Sequence, residues 1–279
     1  PAGGLQDIMM LTSDVSLTRD PTGQYQKIVK AYADDQALFD RHFSHAWYKL
    51  TTRDMGPVTR CVGPYVPPAQ DWQNPLPPPI EPKMRADPEA VKAALRKVGA
   101  GSNDKFALLA RLAWQCASTF RTTDYLGGCN GARLRHSPQK DWPANAGLDK
   151  ALSLLEPVKA QFGSSISWAD LIVLAGNTAI ESVSGIKMPF CSGRSDAEKG
   201  TASDAYLESR LTGGMGDTAV HLKDSIKVMG LTMREMTALQ GGGHSLGDAC
   251  DMGGMRGMRG LHIGQWTDKT MSNSYFVSL

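Results

Sequence analysis

The chain has 279 residues, of which 41% are hydrophobic and 21% charged, and its net charge at neutral pH is +2. A chain of this length can bury a core large enough to enclose a cofactor. So mild a charge argues against nucleic acid or an anionic membrane surface as the partner. No apolar run approaches the roughly 18 residues that a transmembrane helix needs.

Five cysteines are scattered along the sequence without a C-x-x-C pair. This pattern suits a reducing compartment, intracellular or organellar, better than a disulfide framework. The first residue is Pro and no targeting segment is visible, so we expect a processed chain or a fragment.

Helical patterns dominate the front of the chain. Asp20 and Pro21 are typical of a helix start. An apolar stripe at i, i+4 spacing through residues 38–50 predicts a second helix. The stretch 63–82 then holds half of the 16 prolines. We therefore predict a front segment, 1–62, a Pro-rich connector, 63–83, and a body, 84–279.

Apolar periodicity and cap residues in the body predict five further helices, at 87–99, 106–120, 148–162, 167–183 and 232–240. Ser167 with Asp170 and Thr232 with Glu235 are spaced as capping boxes, and the glycines at 241–243 are expected to end the last helix. Alternating strand patterns are nearly absent. The sequence therefore predicts an all-α fold.

Residues 241–248, GGGHSLGD, contain the pattern G-x-S-x-G, which is typical of the nucleophile elbow of α/β-hydrolases. An elbow needs a β-strand before Ser245 and a parallel sheet around it, whereas a capped helical pattern precedes it here. The hydrolase hypothesis is therefore disfavoured. Taken alone, His244 would be a residue that merely follows a helix end.

Several segments, in order along the body, resemble the intracellular (class I) haem peroxidases: ascorbate peroxidase, cytochrome c peroxidase and the catalase-peroxidases. ALQGGGHSLG resembles their proximal-histidine motif, GQW followed by NSYF their proximal-tryptophan segment, and RLAW their distal Arg-x-x-Trp segment. GGCNGARLRHSPQKDWPANAGL, SISWADLIVLAGNTAIE and MPFCSGRSDA extend the likeness. These segments are most similar in sequence to the C-terminal, haem-free half of catalase-peroxidases. The resemblance implies the haem-peroxidase helical fold and haem b as cofactor.

On the proximal side, the resemblance implies that His244 ligates the haem iron. Asp14, in MMLTSD, matches the aspartate that accepts a hydrogen bond from the ligand's second ring nitrogen and holds the proximal tryptophan, here Trp266. Ser245 and Trp114 are implied as residues of the haem pocket. Without the resemblance, Asp14 would be interpreted as a turn or helix-cap residue.

On the distal side, Arg111 matches the arginine that stabilises negative charge as the O–O bond breaks, and Trp114 matches the tryptophan that stacks over haem. Asn145 matches the asparagine that orients the distal histidine, but Gln115 stands where that histidine, the general base, should be. Losing such a group typically costs about 10²–10⁴-fold in rate. His136 could replace it only if the fold brought it close. The resemblance implies hydrogen peroxide and an unknown reductant as substrates, with activity weakened or retuned.

Two loops of the chain depart from the family, and both bear on which substrates it would use. Arg53 matches a mobile arginine that assists catalase activity, but the loop that carries the crosslinked tyrosine is not recognisable, so no catalase activity is predicted. The Met-rich loop at 251–260 departs from ascorbate peroxidase, which puts ascorbate specificity in doubt.

The order of the segments also differs from that of the family. The family's Asp segment follows the proximal tryptophan, whereas Asp14 precedes both the distal and the proximal segments of this chain. One explanation is a piece of a longer two-domain peroxidase, with Asp14 belonging to the preceding domain. The other, which we favour, is a circularly permuted domain in which 1–62 and 84–279 fold together. The alternative to an enzyme is an inactive pseudo-peroxidase that serves as a structural or docking subunit of a larger assembly.

Overall fold

A computed structural model describes residues 11–200, 227–246 and 273–277 of the chain. Within these ranges the protein consists of α-helices, 3-10 turns and connecting segments, with one isolated bridge between Gly131 and Asp196 and no strand. The predicted all-α fold is confirmed. None of the helices in these ranges is long and apolar enough to span a membrane.

The chain divides into two compact units, Pro1–Asp54 and Met55–Leu279. The first unit contains three helices: α1 (Thr12–Thr18), α2 (Gln24–Asp34) and α3 (Gln36–Thr52). Helix α2 begins at Gln24 rather than at the predicted Asp20–Pro21, because residues 20–23 form a turn. The Asp20 carboxylate accepts hydrogen bonds from the backbone N–H groups of Gln24 and Tyr25, at 2.9 and 3.1 Å. The predicted start signal therefore acts one turn before the helix.

The described part of the second unit contains six α-helices. They are α4 (Pro88–Gly99), α5 (Asn103–Ala117), α6 (Leu148–Phe162), α7 (Trp168–Ser184), α8 (Met233–Leu246) and α9 (Ser274–Val277). The predicted capping box at Thr232 is confirmed, whereas at Ser167 only the N-cap half of the box forms. Ser167 Oγ accepts from the Asp170 N–H at 3.0 Å, and the Glu235 carboxylate accepts from the Thr232 N–H at 2.7 Å.

The core lies between α4, α5, α6 and α7, and the closest crossing is between α5 and α7. A Cβ atom on Gly176 would lie 2.3 Å from the Ala113 Cβ, a distance at which the two helices could not keep their separation. Leu112 and Leu174 are fully buried in the same cluster. The crossing holds α5, which carries the distal motif, against the most buried helix.

A charged cluster joins α4 to α7 at the edge of this core. Lys92 Nζ donates to Glu181 Oε1 at 2.7 Å, and Arg96 reaches Glu181 Oε2 at 3.3 Å. The hydrogen bond to Glu181 raises the Lys92 pKa against the opposing effect of burial. Burial opposes ionisation of Glu181 as well, but the hydrogen bonds from Lys92 and from the Met188 N–H outweigh it and lower the Glu181 pKa.

The expectation of unpaired cysteines is wrong for one pair. Cys116, near the end of α5, forms a disulfide with Cys129, 13 residues further along the chain. Both residues are buried, because the chain after α5 folds back against its last turn and brings the two thiols together. The predicted compartment stays a prediction.

The expectation that the glycines at 241–243 end the preceding helix is also wrong. Helix α8 continues through them to Leu246. Gly241 is buried, and a Cβ atom there would lie 2.2 Å from the Phe276 ring of α9. The glycine is therefore tolerated inside the helix because its missing side chain admits α9.

Candidate active site

The distal motif lies on α5, where Arg111 faces the segment that precedes α6. The Arg111 Nη2 donates to the carbonyl oxygens of Ala144 and Ala146, at 3.0 and 3.1 Å. Burial lowers the Arg111 pKa, yet a guanidinium remains charged at neutral pH. Arg111 is thus a fixed, partly desolvated cation that clamps the residues on either side of Asn145.

Asn145 is buried between those two alanines. Its Nδ2 donates to the Gln139 carbonyl at 2.7 Å, whereas its Oδ1 is buried without a donor among the described residues. A buried acceptor without a donor costs about 1–3 kcal/mol. The structure therefore places an unsatisfied acceptor where the resemblance puts the group that orients a distal histidine.

Gln115 lies one helical turn after Arg111 on α5, so both side chains share a face of the helix. Gln115 is buried and Trp114 half-buried. The structure thus brings Arg111, Gln115 and Asn145 to one side of α5. Sequence reasoning did not predict the carbonyl clamp on Arg111, since backbone acceptors leave no signal in side-chain identity.

His136 is hydrogen-bonded to the chain through one of its two ring nitrogens. Its Nε2 lies 3.0 Å from the Ala197 carbonyl oxygen, so this nitrogen is the protonated donor of that hydrogen bond. That His136 could replace the distal histidine if it lay close to the distal residues stays a prediction.

The proximal residues are described only in part. The backbone of His244 and Ser245 belongs to α8, but their side chains lie outside the described residues, as does Trp266. Asp14 Oδ2 accepts from the Leu11 N–H at 2.8 Å and so caps α1. Its predicted hydrogen bond to His244, and the circular permutation that would bring the two together, stay predictions.

Arg53 lies in a 3-10 turn, Arg53–Met55, at the end of the first unit and is exposed. The Met-rich loop at 251–260 lies outside the described residues. The structure therefore does not test the absence of catalase activity or of ascorbate specificity.

The described part of the body is helical, with the half-buried Arg111 on α5 beside the buried Asn145. The family model described as "Peroxidase" matches residues 88–279. Together with the relatives below, this match shows that the chain belongs to the class I haem peroxidase family, for which haem is the expected cofactor.

The chain is similar in sequence to catalase-peroxidases. Those of Thioalkalivibrio sulfidiphilus and Acidiphilium cryptum are each 40% identical over 97% of this chain, and that of Mycobacterium ulcerans is 39% identical over the same share. The chain covers 38%, 39% and 38% of these three proteins. It therefore spans less than two fifths of the catalase-peroxidases that it matches.

Proposed function

We propose that the chain binds haem b through His244 and oxidises a reductant at the expense of hydrogen peroxide, with a rate limited by Gln115. The observation that carries the distal half of this proposal is the buried Asn145 Oδ1 without a donor, on the same side of α5 as Arg111. These residues fit a distal peroxide pocket from which only the histidine has been lost. Family membership supports the haem.

Each distal residue has a separate task in this proposal. When bound, haem supplies the redox-active iron that peroxide chemistry in this family requires. Arg111, held by the two alanine carbonyls, stabilises negative charge that develops on a peroxide oxygen. Gln115 donates and accepts hydrogen bonds and so orients peroxide or water, but its neutral amide cannot take up a proton near pH 7.

Haem binding is tested by adding haem to the purified chain and recording its absorption spectrum. We expect a Soret band that is lost in His244→Ala and retained in His136→Ala, the matched control, because the ring of His136 is held by the Ala197 carbonyl. A chain that takes up no haem would refute the enzyme proposal. A Soret band that survives His244→Ala would refute the ligand assignment alone.

The limiting role of Gln115 is tested by Gln115→His. A histidine there regains a general base and offers an N–H to the Asn145 Oδ1, so peroxide turnover should rise by about 10²–10⁴-fold. Gln115→Leu, which supplies no base, should show no gain. Removing the acceptor with Asn145→Ala should cancel part of the gain of the histidine variant. If Gln115→His turned over no faster than the natural chain, the distal argument would be wrong.

A second candidate function, an inactive subunit that docks in a larger assembly, is favoured by a row of exposed aromatic side chains on α3. Phe39, Phe43 and Trp47 are 38%, 55% and 57% exposed, and successive ring centroids lie 5.7 and 6.1 Å apart. Contiguous exposed apolar surface of this kind is typical of an interaction site. Native gels of cell extract should place the chain in a large complex and Phe43→Glu in a smaller species. A monomeric natural chain would refute this function.

A further inference from the structure

A cleft in the Met55–Leu279 unit lies next to the distal residues, since its lining includes Gln139, whose carbonyl accepts from Asn145. This cleft has a volume of about 390 Å³, within the range of small-molecule sites. It lies between the Pro-rich connector, at the 3-10 turn Asp71–Gln73, and the chain that follows α5. Arg111, Gln115 and Asn145 do not line it, so any ligand here would occupy a different site.

The cleft has a positive lining. Arg60, Arg133 and Arg194 line it, and no carboxylate is present among its described lining residues. Arg194 shares the buried Asp170 with Arg85, at 3.1 and 3.3 Å. Two cations thus compete for one carboxylate, and the group keeps a net positive charge.

Arg60 adds a second positive group without an ion pair to offset it. Its guanidinium lies over the Tyr125 ring, 4.1 Å from the centroid, and among the described residues it forms no salt bridge. The stacked guanidinium keeps its in-plane N–H donors available, because stacking uses only its face. Arg60 is therefore placed to bind an oxyanion.

Gln73 supplies an independent sign of a missing partner. Its Oε1 accepts from the Gln70 N–H at 2.9 Å, which fixes the orientation of the amide. Its Nε2 is buried without an acceptor in the part of the chain that the structure describes, and the residue, 3% exposed, lines the cleft. A buried amide N–H group without a partner costs free energy, so the partner it lacks is an acceptor oxygen.

Apolar side chains complete the wall. Leu76, Phe120 and Leu126 line the cleft beside Tyr125. Such a surface would bury the body of an organic ligand, whereas a free inorganic ion would leave it in contact with water. Recognition of charge and of apolar surface in one cleft indicates an amphipathic anion.

We propose that this cleft binds a small carboxylic acid with an apolar, aromatic body. The carboxylate would accept hydrogen bonds from Arg60 and Gln73, since a planar carboxylate matches the geometry of a guanidinium. The ring would lie against Phe120 and Leu126. The site needs no haem, so the proposal stands or falls independently of the peroxidase function.

Calorimetric titration of the full chain with benzoate tests the proposal, and benzamide, which has the same shape without the charge, is the matched ligand control. We expect benzoate to bind at least about tenfold more tightly than benzamide, because a hydrogen bond to a charged group is the stronger one. Equal binding of the two would overturn the proposal. Tighter binding of phenyl phosphate than of benzoate would also overturn it, in favour of a phosphate site.

Variants then locate the binding. Arg60→Gln and Gln73→Glu should each weaken benzoate at least about tenfold, the second because it places a carboxylate where a donor is needed. Arg234→Gln removes the same charge from the exposed start of α8 and should leave the affinity unchanged. Melting curves identify variants that fail to fold, and folded Arg60→Gln protein with undiminished affinity would refute the site.

Discussion

Reduction of the Cys116–Cys129 disulfide should destabilise the second unit by about 3 kcal/mol. The bond joins residues 13 apart, and the chain-entropy relation for a loop of this length gives about 3 kcal/mol at 25 °C. For a body of roughly 200 residues, each kcal/mol shifts Tm by about 2–4 °C, so Tm should fall by about 6–12 °C.

The assay compares thermal melts of the natural chain with and without a phosphine reductant. Cys116→Ala/Cys129→Ala is the control, since it should melt lower and should not respond to the reductant. A thiol titration of the unfolded, unreduced protein gives an independent count. Of the five cysteines, at most three should react if the bond is present. Five reactive thiols together with a melt insensitive to reductant would refute the disulfide.

Two further predictions concern the packing of α7. Gly176→Ala should cost about 1–3 kcal/mol in denaturant unfolding, because its Cβ would meet Ala113 at 2.3 Å, and Ala113→Gly in the same chain should recover part of the loss. Glu181→Gln should cost about 2 kcal/mol at pH 7 by leaving the buried Lys92 with only a peripheral partner. Folding lowers the Glu181 pKa from its ordinary value of 4.5. The ion pair therefore stabilises the protein fully above about pH 4.5, and this stabilisation is lost as the pH falls through the lower pKa of Glu181 in the folded protein. A difference between the natural chain and Glu181→Gln that did not shrink on acidification would contradict the ion-pair argument, and an unchanged unfolding curve for Gly176→Ala would contradict the tight crossing.

Much of the fold could be predicted from local signals. The Ser167 cap and the Thr232–Glu235 capping box are recognisable because a cap is formed by residues three apart in sequence, and both are present. The predicted box at Ser167 is only half formed, since the Asp170 carboxylate bonds to Arg85 and Arg194 instead. Helix α6 has the predicted bounds, Leu148–Phe162. The end of α8 was mispredicted because a glycine run is a local stop signal, whereas the helix continues where Gly241 packs against Phe276.

The candidate site, like the fold, could be predicted only in part from the sequence. The resemblance identified Arg111, Gln115 and Asn145 by their motifs, and in the structure Arg111 donates to the carbonyls of the residues on either side of Asn145. The roles of the Ala144 and Ala146 carbonyls could not be predicted, because every residue carries a carbonyl and only the folded chain decides which ones meet Arg111. The Asp14–His244 pairing stays a prediction, because the His244 side chain lies outside the described residues.

The sequence by itself determined the helical class, most helix positions and the peroxidase family, since these depend on periodicity, caps and motifs carried by neighbouring residues. Only the tertiary structure decided the Cys116–Cys129 bond, the unsatisfied Asn145 Oδ1 and the arginine-lined cleft. Each of these depends on which distant groups meet in space, and on which buried donors or acceptors are left without a partner when the chain packs.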